Sequence, residues 1–341
     1  MKKLPAFAVL SILTFPLTLG CGDSGRRNIR IVETDSQTLV YVEEKEPEVA
    51  PPKAETPLET RRVYVEEETP KAETPTLAPL PKFDELIASG AKIDKSGKTL
   101  DLTAVEKLDG FDGAADAERW NAVKVVRGKG RLTVRTLAAF AKLPNLTEFL
   151  WSDATLATAN SDDAAFQGAF ADLSKAPRLK KLRLTGLQTE NGKFPTVALV
   201  ALAQAPQLAD IDVSGSPATS ADLAAVDWKN GFAKLTKLNL YQTQVGDAGV
   251  DALLPLTDRL TSLNLDDAQI GPDSAAKIAQ FTELTFLHVG RSTLDDASIA
   301  EFAKLGKLAK IHVTRSKATE AGADALRAAL PNCEVVSQPE N

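Results

Sequence analysis

The two histidines of the chain are the residues best suited to chemistry, because imidazole binds metal ions and exchanges protons near neutral pH. His288 and His312 hold the same position in two similar segments, LTFLHV and LAKIHV, and Asp266 lies one such segment earlier. A zinc site needs three or four well-placed ligands. Arg291 and Arg315 lie close to the histidines in sequence, and fixed cations oppose a bound dication. We therefore predict two exposed polar side chains here, with no metal site and no cofactor.

Motifs of other catalytic and ligand-binding classes are missing from the sequence. It contains no serine-centred elbow, phosphate-binding glycine loop, HExxH helix or paired CxxC. The acidic run DGFDGAADAE places Phe111 and Gly113 where a calcium-binding EF-hand loop needs oxygen ligands. The formal net charge of -6 argues against a nucleic-acid-binding protein. We predict a non-enzymatic protein without catalytic residues or a small-molecule substrate.

A repeated segment occupies the C-terminal two thirds of the chain. LTKLNL begins at Leu235, LTSLNL at Leu260, LTFLHV at Leu284 and LAKIHV at Leu308, a period of about 24 residues. Earlier copies with wider spacing are LTEFLW, LKKLRL and LADIDV, starting at Leu146, Leu179 and Leu208. In LTKLNLYQTQVGDAGVDALLPL the first half alternates apolar and polar residues, which predicts a strand. The second half has helical spacing, which predicts an amphipathic helix.

These repeats resemble the bacterial leucine-rich-repeat family, whose unit reads roughly LxxLxLxxTxVxDxGLxxLxxL. The resemblance extends from about Leu132 to Val336, and the unit from Leu235 fits it best. It departs from the family at the ninth position, which holds Ala154, Leu187 and Ala268 in three units. The resemblance implies an α/β fold: a leucine-rich-repeat solenoid, or horseshoe, with a parallel concave sheet and convex helices.

Stacking explains why the chain repeats itself. A single strand and helix cannot bury their apolar faces alone, so each copy supplies the wall against which the next copy packs. We predict an N-terminal cap and first irregular repeat at 82–131, a leucine-rich-repeat domain at 132–337 and a short tail at 338–341. Cys333 lies in the expected closing strand and is interpreted as a small buried hydrophobic residue.

The outward side chains of the strands form the candidate binding surface. Because side chains alternate along a strand, the concave face should present a polar column with aromatic neighbours, an acidic centre and a basic end. Such a face suits an extended polar partner with its own charge asymmetry. We predict contact with a protein or cell-envelope polymer through Arg183, Asp210, Asp212, Asn239, Tyr241, Asn264, Asp266, Phe286, His288, Arg291, Lys310, His312 and Arg315.

The N-terminus has the pattern of an export signal. Lys2 and Lys3 precede an apolar run that ends in small residues before Cys21. The segment Thr18-Leu19-Gly20-Cys21 resembles a bacterial lipoprotein signal, which implies a signal peptide at 1–20 and lipidation of Cys21. A plain signal peptide is the alternative. The absence of an acidic residue after Cys21 is compatible, in such families, with an outer-membrane lipoprotein facing the periplasm or the surface.

Residues 21–81 are rich in Glu, Pro, Thr and Ala and contain few large apolar side chains. Such a composition does not bury enough surface to offset the entropy of ordering, so we predict a disordered tether. Together, these features predict a lipid-anchored leucine-rich-repeat protein of the bacterial cell envelope that binds a partner on its concave face. The alternative is an envelope scaffold or spacer without a specific ligand.

Overall fold

The computed structural model describes residues 81–111 and 116–337 with their side chains, and the backbone of residues 29–33 and 39–43. The chain divides into an N-terminal and a C-terminal unit, Met1–Thr74 and Pro75–Asn341. Within the described residues, none of the helices has the length and apolar character needed to cross a membrane.

In the N-terminal unit the described residues form two antiparallel strands, β1 (Ile29–Glu33) and β2 (Leu39–Glu43). Both lie inside the segment predicted to be a disordered tether, so the structure differs from that prediction at these residues. The reason is local composition: IRIV and LVYV are dense in β-branched and aromatic residues, which favour strands. The signal peptide, the lipidation residue Cys21, the rest of the tether and the tail lie outside the described residues.

The C-terminal unit is built on one open sheet. Its strands are β3 (Lys92–Ile93), β4 (Thr99–Asp101), β5 (Val125–Leu132), β6 (Glu148–Leu156), β7 (Lys181–Leu184), β8 (Gln188–Thr189), β9 (Asp210–Asp212), β10 (Lys237–Asn239), β11 (Ser262–Asn264), β12 (Phe286–His288), β13 (Lys310–His312) and β14 (Glu334–Val336). They pair in chain order, except that β8 pairs with the distal part of β6 and β7 pairs with β9. Only the β3–β4 pair is antiparallel among these strands.

Helices alternate with the strands along the chain. They are α1 (Phe83–Ala88), α2 (Ala117–Ala122), α3 (Val134–Ala141), α4 (Ala164–Ser174), α5 (Thr196–Leu202), α6 (Ser220–Ala224), α7 (Gly246–Leu253), α8 (Pro272–Ile278), α9 (Asp296–Ala300) and α10 (Glu320–Ala329). Successive helices contact one another from α3 to α5 and from α6 to α10. This arrangement confirms the predicted α/β leucine-rich-repeat solenoid.

The leucines of the repeat form the core between sheet and helices. Leu238, Leu263, Leu287 and Ile311 are paired in register across β10 to β13, and each is at most 2% exposed. Loss of one such side chain, as in Leu263→Ala, should cost about 2 to 5 kcal/mol. The register therefore follows from burial, because a shift by one residue would expose every leucine.

Threonines add a second ladder on the sheet, at the position after the first leucine. The hydroxyl of Thr261 donates to the Thr236 carbonyl at 3.2 Å, and that of Thr285 donates to the Thr261 carbonyl at 3.0 Å. Each bond joins one repeat to the next, so these threonines stabilise stacking.

Carboxylates join repeats on the helical side. Asp247 accepts a hydrogen bond from the Gly271 amide at 2.7 Å, just before α8, and Asp296 accepts one from the Thr319 amide at 2.6 Å, just before α10. An aspartate of one repeat thus satisfies backbone donors at the helix start of the next. Asp295 is the N-cap of α9, and its side chain accepts a hydrogen bond from the Ser298 amide.

The first elements of the C-terminal unit close the N-terminal end of the sheet. Helix α1 and the β3–β4 hairpin occupy the segment predicted to cover the first repeat. The Trp120 ring lies 4.7 Å from Phe83 and 4.0 Å from Phe111, centroid to centroid, and Phe111 contacts Phe140. This aromatic cluster fills the end of the core, where a further repeat would otherwise stack.

The C-terminal end is closed by α10 and β14. Leu330 and Val335 are buried there, 7% and 8% exposed. Cys333 is only partly buried, so the prediction of a buried residue is wrong in degree. The reason is that Cys333 lies just before β14, the edge strand of the sheet among the described residues. Burial nevertheless raises the pKa of the Cys333 thiol.

Candidate partner-binding face

The polar column predicted from the sequence is aligned in the structure. Cα partners across the parallel strands β7 and β9 to β13 are Arg183, Asp212, Asn239, Asn264, His288 and His312, in that order. The same column continues through Leu150, Arg127 and Asp101 toward the N-terminus, and ends at Val336. We use "the column" for these ten positions and "the concave face" for the side of the sheet that they occupy.

In the middle of the column, side-chain oxygens accept hydrogen bonds from backbone amides. Asp212 accepts a hydrogen bond from the Ser214 amide at 3.0 Å, Asn239 from the Tyr241 amide at 3.1 Å and Asn264 from the Asp266 amide at 3.0 Å. Asp101 makes the same bond with the Thr103 amide. Each is an Asx turn that ends a strand. Residues predicted to contact a partner therefore also have a structural role.

Ion pairs neutralise much of the charge that the sequence assigned to the face. Arg183 Nε lies 3.0 Å from Asp212 Oδ2, and Lys181 Nζ lies 3.1 Å from Asp210 Oδ2. Near the C-terminal end, Lys310 lies 3.2 Å from Glu334. The cation and carboxylate of each pair come from adjacent repeats, so the charges cancel locally.

The predicted acidic centre is not displayed. Asp212 and Asp266 are only 5% and 4% exposed. The Arg291 guanidinium hydrogen-bonds to Asp266, lies 3.8 Å from Asp267 and covers the Tyr241 ring at 5.0 Å. Burial of Arg291 opposes its charge, but the Asp266 carboxylate outweighs that effect and raises the pKa of Arg291. Neighbouring side chains therefore enclose the carboxylates of Asp212 and Asp266, two of the predicted contact residues.

The C-terminal part of the column carries a cluster of rings. The His288 and His312 ring centroids are 4.6 Å apart, and the Phe286 centroid is 5.8 Å from His312. His288 Nε2 lies 3.6 Å from Asp266 Oδ2. All three rings are partly exposed. The structure thus brings together the two histidines and one of the two aromatic residues predicted for this face. Tyr241 lies instead against Arg291.

No metal site results from this cluster. Among the residues that the structure describes, His, Cys, Asp and Glu side chains form no group of three or more that could hold a metal ion. The two imidazoles have Asp266 as their carboxylate neighbour, and that carboxylate is bound to Arg291. A dication would have to compete with this guanidinium for the same oxygens.

A column of left-handed residues borders the concave face. Three residues after each column position from Arg127 to His312, φ is positive: at Gly130, Asp153, Gly186, Gly215, Gln242, Asp267, Arg291 and Arg315. Only three of these are glycines, although glycine adopts this conformation with least strain. Arg291 and Arg315 were predicted as contact residues, and both lie in these turns, with Arg315 exposed.

Besides Lys181, sequence reasoning missed two further cations of the face. Arg127 belongs to the column in β5, and Lys237 lies at the first position of β10, in register with Asp210. Both are exposed. The alternation in VVRGKGRL could have placed Arg127, but that segment was assigned to the irregular first repeat.

Comparison with known proteins gives only distant similarity. No family model matches the chain, and no curated protein matches it. Among solved structures, internalin C2 from Listeria monocytogenes is 18% identical over 61% of this chain and 76% of its own, with a TM-score of 0.42. Another internalin from that species gives 15% identity, 68% and 59% coverage and a TM-score of 0.46.

A leucine-rich-repeat protein of Leptospira interrogans is 16% identical over 70% of this chain and 60% of its own, with a TM-score of 0.43. The chain therefore spans less than two thirds of that protein and of the second internalin. The solenoid architecture described above follows from the strand register and repeated turns of this chain itself.

Proposed function

We propose that the protein is a lipid-anchored leucine-rich-repeat module of the bacterial cell envelope that holds a protein or envelope polymer on its concave face. Cys21 would carry the lipid and residues 21–81 would separate the module from the membrane. Single lipid chains bind membranes reversibly, so stable anchoring through Cys21 would need more than one acyl chain. The outer membrane is the proposed location.

The observation that carries the proposal is the ring cluster of Phe286, His288 and His312. These rings are partly exposed on a face whose other polar residues are largely bound to one another. Aromatic side chains that a partner can fully desolvate contribute most to binding at interfaces. Arg315, in a turn that borders the face, and Lys237, in β10, are exposed cations.

Capture of the native partner tests this proposal. Full-length protein is crosslinked in cells and the captured molecules are identified by mass spectrometry. Phe286→Ser and His312→Ser should each reduce specific capture at least about tenfold, because interface hot spots are worth 2 kcal/mol or more. Neither residue is deeply buried, so both variants should fold.

Val200→Ser is the matched control. Val200 lies on α5, on the helical side, and is the large hydrophobic side chain that stands out as exposed in the described part of the chain. It should leave capture unchanged. Equal capture by the Phe286, His312 and Val200 variants would contradict binding through the ring cluster.

The internal neutralisation of the face favours one second candidate, an envelope spacer without a specific ligand. In that case the polar residues of the column serve only the Asx turns and ion pairs of the protein itself. Shortening the tether 21–81 would then change the cellular phenotype, whereas the Phe286 and His312 variants would have no effect.

A further inference from the structure

We propose that Lys98, Lys124, Arg178 and Lys180, which we call the basic edge, bind the anionic lipid headgroups of the membrane that carries the protein. The contact is separate from the concave face. The inference rests on the proposed function in one respect, that a lipid on Cys21 brings the module to a membrane. It adds a second membrane contact, made by the folded module itself.

The lysines of the basic edge lie side by side where the strands begin. Lys98, Lys124 and Lys180 each come one residue before a strand, β4, β5 and β7. The Lys124 amide donates to the Lys98 carbonyl at 2.8 Å, and the Thr147 amide donates to the Lys124 carbonyl at 2.7 Å. The Lys180 amide then donates to the Thr147 carbonyl at 2.8 Å. Because neighbouring strands lie about 4.8 Å apart, the backbones of the three lysines span about 15 Å.

The charge of the basic edge is not neutralised as it is on the concave face. All four side chains are exposed. Among the residues that the structure describes, none of the four forms an ion pair, whereas Lys181 and Arg183, just after Lys180, each pair with an aspartate of the next repeat. The basic edge therefore keeps a local positive charge in a chain whose formal net charge is -6.

Two carboxylates lie near the basic edge. Asp94 accepts hydrogen bonds from the Lys98 and Thr99 amides at 2.9 and 3.2 Å. Glu148 is the first residue of β6 and is in register with Lys181. Two carboxylates against four cations leave the edge with a net positive charge.

The repeat itself does not require lysine at this position. In the later repeats the same backbone hydrogen bonds are made by uncharged residues, which are Ala209, Thr236, Thr261, Thr285 and Ala309. A structural role would therefore be met by alanine or threonine. The lysines are confined to the N-terminal repeats, so their charge is the property that needs an explanation.

The chemistry of the edge favours a lipid surface over a protein. Protein interfaces centre on aromatic or other well-packed anchors, and the exposed large hydrophobic side chain of the described residues, Val200, lies on α5. Thr147 interrupts the row of lysines, and mobile headgroups adapt to such uneven spacing. Each cation near an anionic membrane strengthens binding about fivefold. A basic patch together with a lipid chain gives stable membrane binding where one chain alone does not.

Contact at the basic edge leaves the concave face accessible. In β4, β5 and β7 the column positions Asp101, Arg127 and Arg183 come three residues after the lysines. The ring cluster lies in β12 and β13, and β12 is the fourth strand beyond β7, about 19 Å along the sheet. A module held on the membrane by the basic edge can therefore still bind a partner at the ring cluster.

Vesicle sedimentation tests the inference on the full chain with Cys21→Ser, which removes the proposed lipidation site. The vesicles contain phosphatidylcholine alone or equal parts of phosphatidylcholine and phosphatidylglycerol. The protein should bind only the anionic vesicles, and high salt should weaken this binding because it screens exposed charges. The triple variant Lys98→Gln, Lys124→Gln and Lys180→Gln should bind them at least about tenfold more weakly.

The matched control is the triple variant Lys229→Gln, Lys237→Gln and Lys317→Gln. It removes the same number of charges from exposed positions outside the basic edge, so it should bind anionic vesicles as the parent does. All six lysines are exposed, and circular dichroism should show that both variants are folded. Equal losses in the two triple variants would overturn the inference, as would equal binding to neutral and anionic vesicles. Failure to bind anionic vesicles, with a protein crosslinked in cells through the basic edge, would make its partner a protein and the lipid contact wrong.

The proposed function and this inference fail separately. If Phe286→Ser and His312→Ser leave partner capture unchanged, the proposed function is wrong, while binding of the Cys21→Ser chain to anionic vesicles would still support the basic edge. If Phe286→Ser loses the partner but the Cys21→Ser chain ignores anionic vesicles, the concave face binds a partner and the lipid contact is wrong.

Discussion

Two stretches of the same column use their polar residues differently. In β9 to β11, Asp212, Asn239 and Asn264 each turn an oxygen back to the amide two residues on. In β12 and β13, the aligned positions hold the imidazoles of His288 and His312, which contact each other ring to ring. The comparison shows that a polar column on a repeat surface contains residues that the backbone requires and residues that present chemistry to a partner.

The difference has a physical origin in the lengths of the side chains. An Asp or Asn oxygen is two bonds from Cβ, which matches the amide at the end of its own strand. Imidazole is larger, and its ring faces are available for stacking on the next repeat. The middle of the column therefore contributes mainly to stability, and the C-terminal part is the better candidate for recognition.

Among polar residues of the concave face, the largest expected effect is at the junction of the two stretches, in Asp266→Ala. This change removes the carboxylate that pairs with Arg291 and leaves the guanidinium without its nearest anion. Because Arg291 is still one third exposed, we expect a loss of about 2 to 3 kcal/mol, below the range for fully buried pairs. Urea unfolding of the full chain, followed by circular dichroism, measures it.

Glu283→Ala provides the control for Asp266→Ala. Glu283 also pairs with a cation one repeat on, Lys307 at 2.6 Å, but both side chains are well exposed. Its removal should cost less than about 1 kcal/mol. Equal losses in the two variants would mean that the burial of Asp266 is not what makes its ion pair important.

The second largest expected effect compares the stability contributions of the two stretches directly. Asn264→Ala removes the acceptor for the Asp266 amide and should destabilise the fold by about 1.5 kcal/mol. Asn264→Asp keeps the acceptor and should cost less. His312→Ala should change the unfolding free energy by less than about 0.5 kcal/mol, as a surface substitution does, while reducing partner capture. A larger loss for His312→Ala than for Asn264→Ala would reverse the proposed division of the column.

The sequence predicts the fold well because the leucine period specifies both register and burial. Every residue chosen for the column from Arg183 to His312 lies at its expected position. The signal is strong because seven copies repeat it, and each copy fails if its neighbour is out of register.

The sequence predicts the character of the face less well. Whether the Asp266 carboxylate is exposed or bound depends on the side-chain conformation of Arg291, one repeat later. The spacing of residues in the sequence does not predict that conformation. The Asx turns are not predictable from the sequence for the same reason, because the Asn264 side chain can hydrogen-bond either to water or to its own backbone. The β1–β2 pair was missed because average composition over 21–81 obscured two short apolar runs.

A smaller effect concerns the turns that border both stretches. Gly215 has φ of +70°, and an added Cβ would find space, with the nearest atom at 3.7 Å. Gly215→Ala should therefore lose only the backbone strain energy, about 1 kcal/mol. Gln242 has φ of +53° at the next turn, so Gln242→Gly should gain up to about 0.5 to 1 kcal/mol.

Gly306→Ala is the matched control for these turns. Gly306 has open space around its Cα and no positive φ, so alanine should be neutral or slightly stabilising. The thermal midpoints of the three variants, measured by calorimetry, should follow this order. Destabilisation by Gln242→Gly would mean that its side chain contributes more than the strain removes.

The smallest effect is at the N-terminal end of the column, in the pH dependence of Asp101. The Thr103 hydroxyl donates to Asp101 at 2.6 Å and the Thr103 amide at 2.9 Å. The hydroxyl bond, against the opposing effect of burial, lowers the pKa of Asp101. A carboxyl whose pKa is lower in the folded state stabilises the fold above its unfolded value, near about 3.9, and loses that contribution as the pH falls through the folded value.

Asp101→Asn keeps an acceptor for the Thr103 amide but no longer titrates. At pH 7 it should be less stable than the wild type by under about 1 kcal/mol, because the site is largely solvated. The difference in unfolding free energy between the wild type and Asp101→Asn should narrow as the pH falls below about 4, since only the wild type loses the charge at this position. Asp258→Asn, at a carboxylate that is 82% exposed, should show no such narrowing. If the stability difference between Asp101→Asn and the wild type stays constant down to low pH, the charge of Asp101 contributes nothing. This Asx turn would then act only through hydrogen-bond geometry.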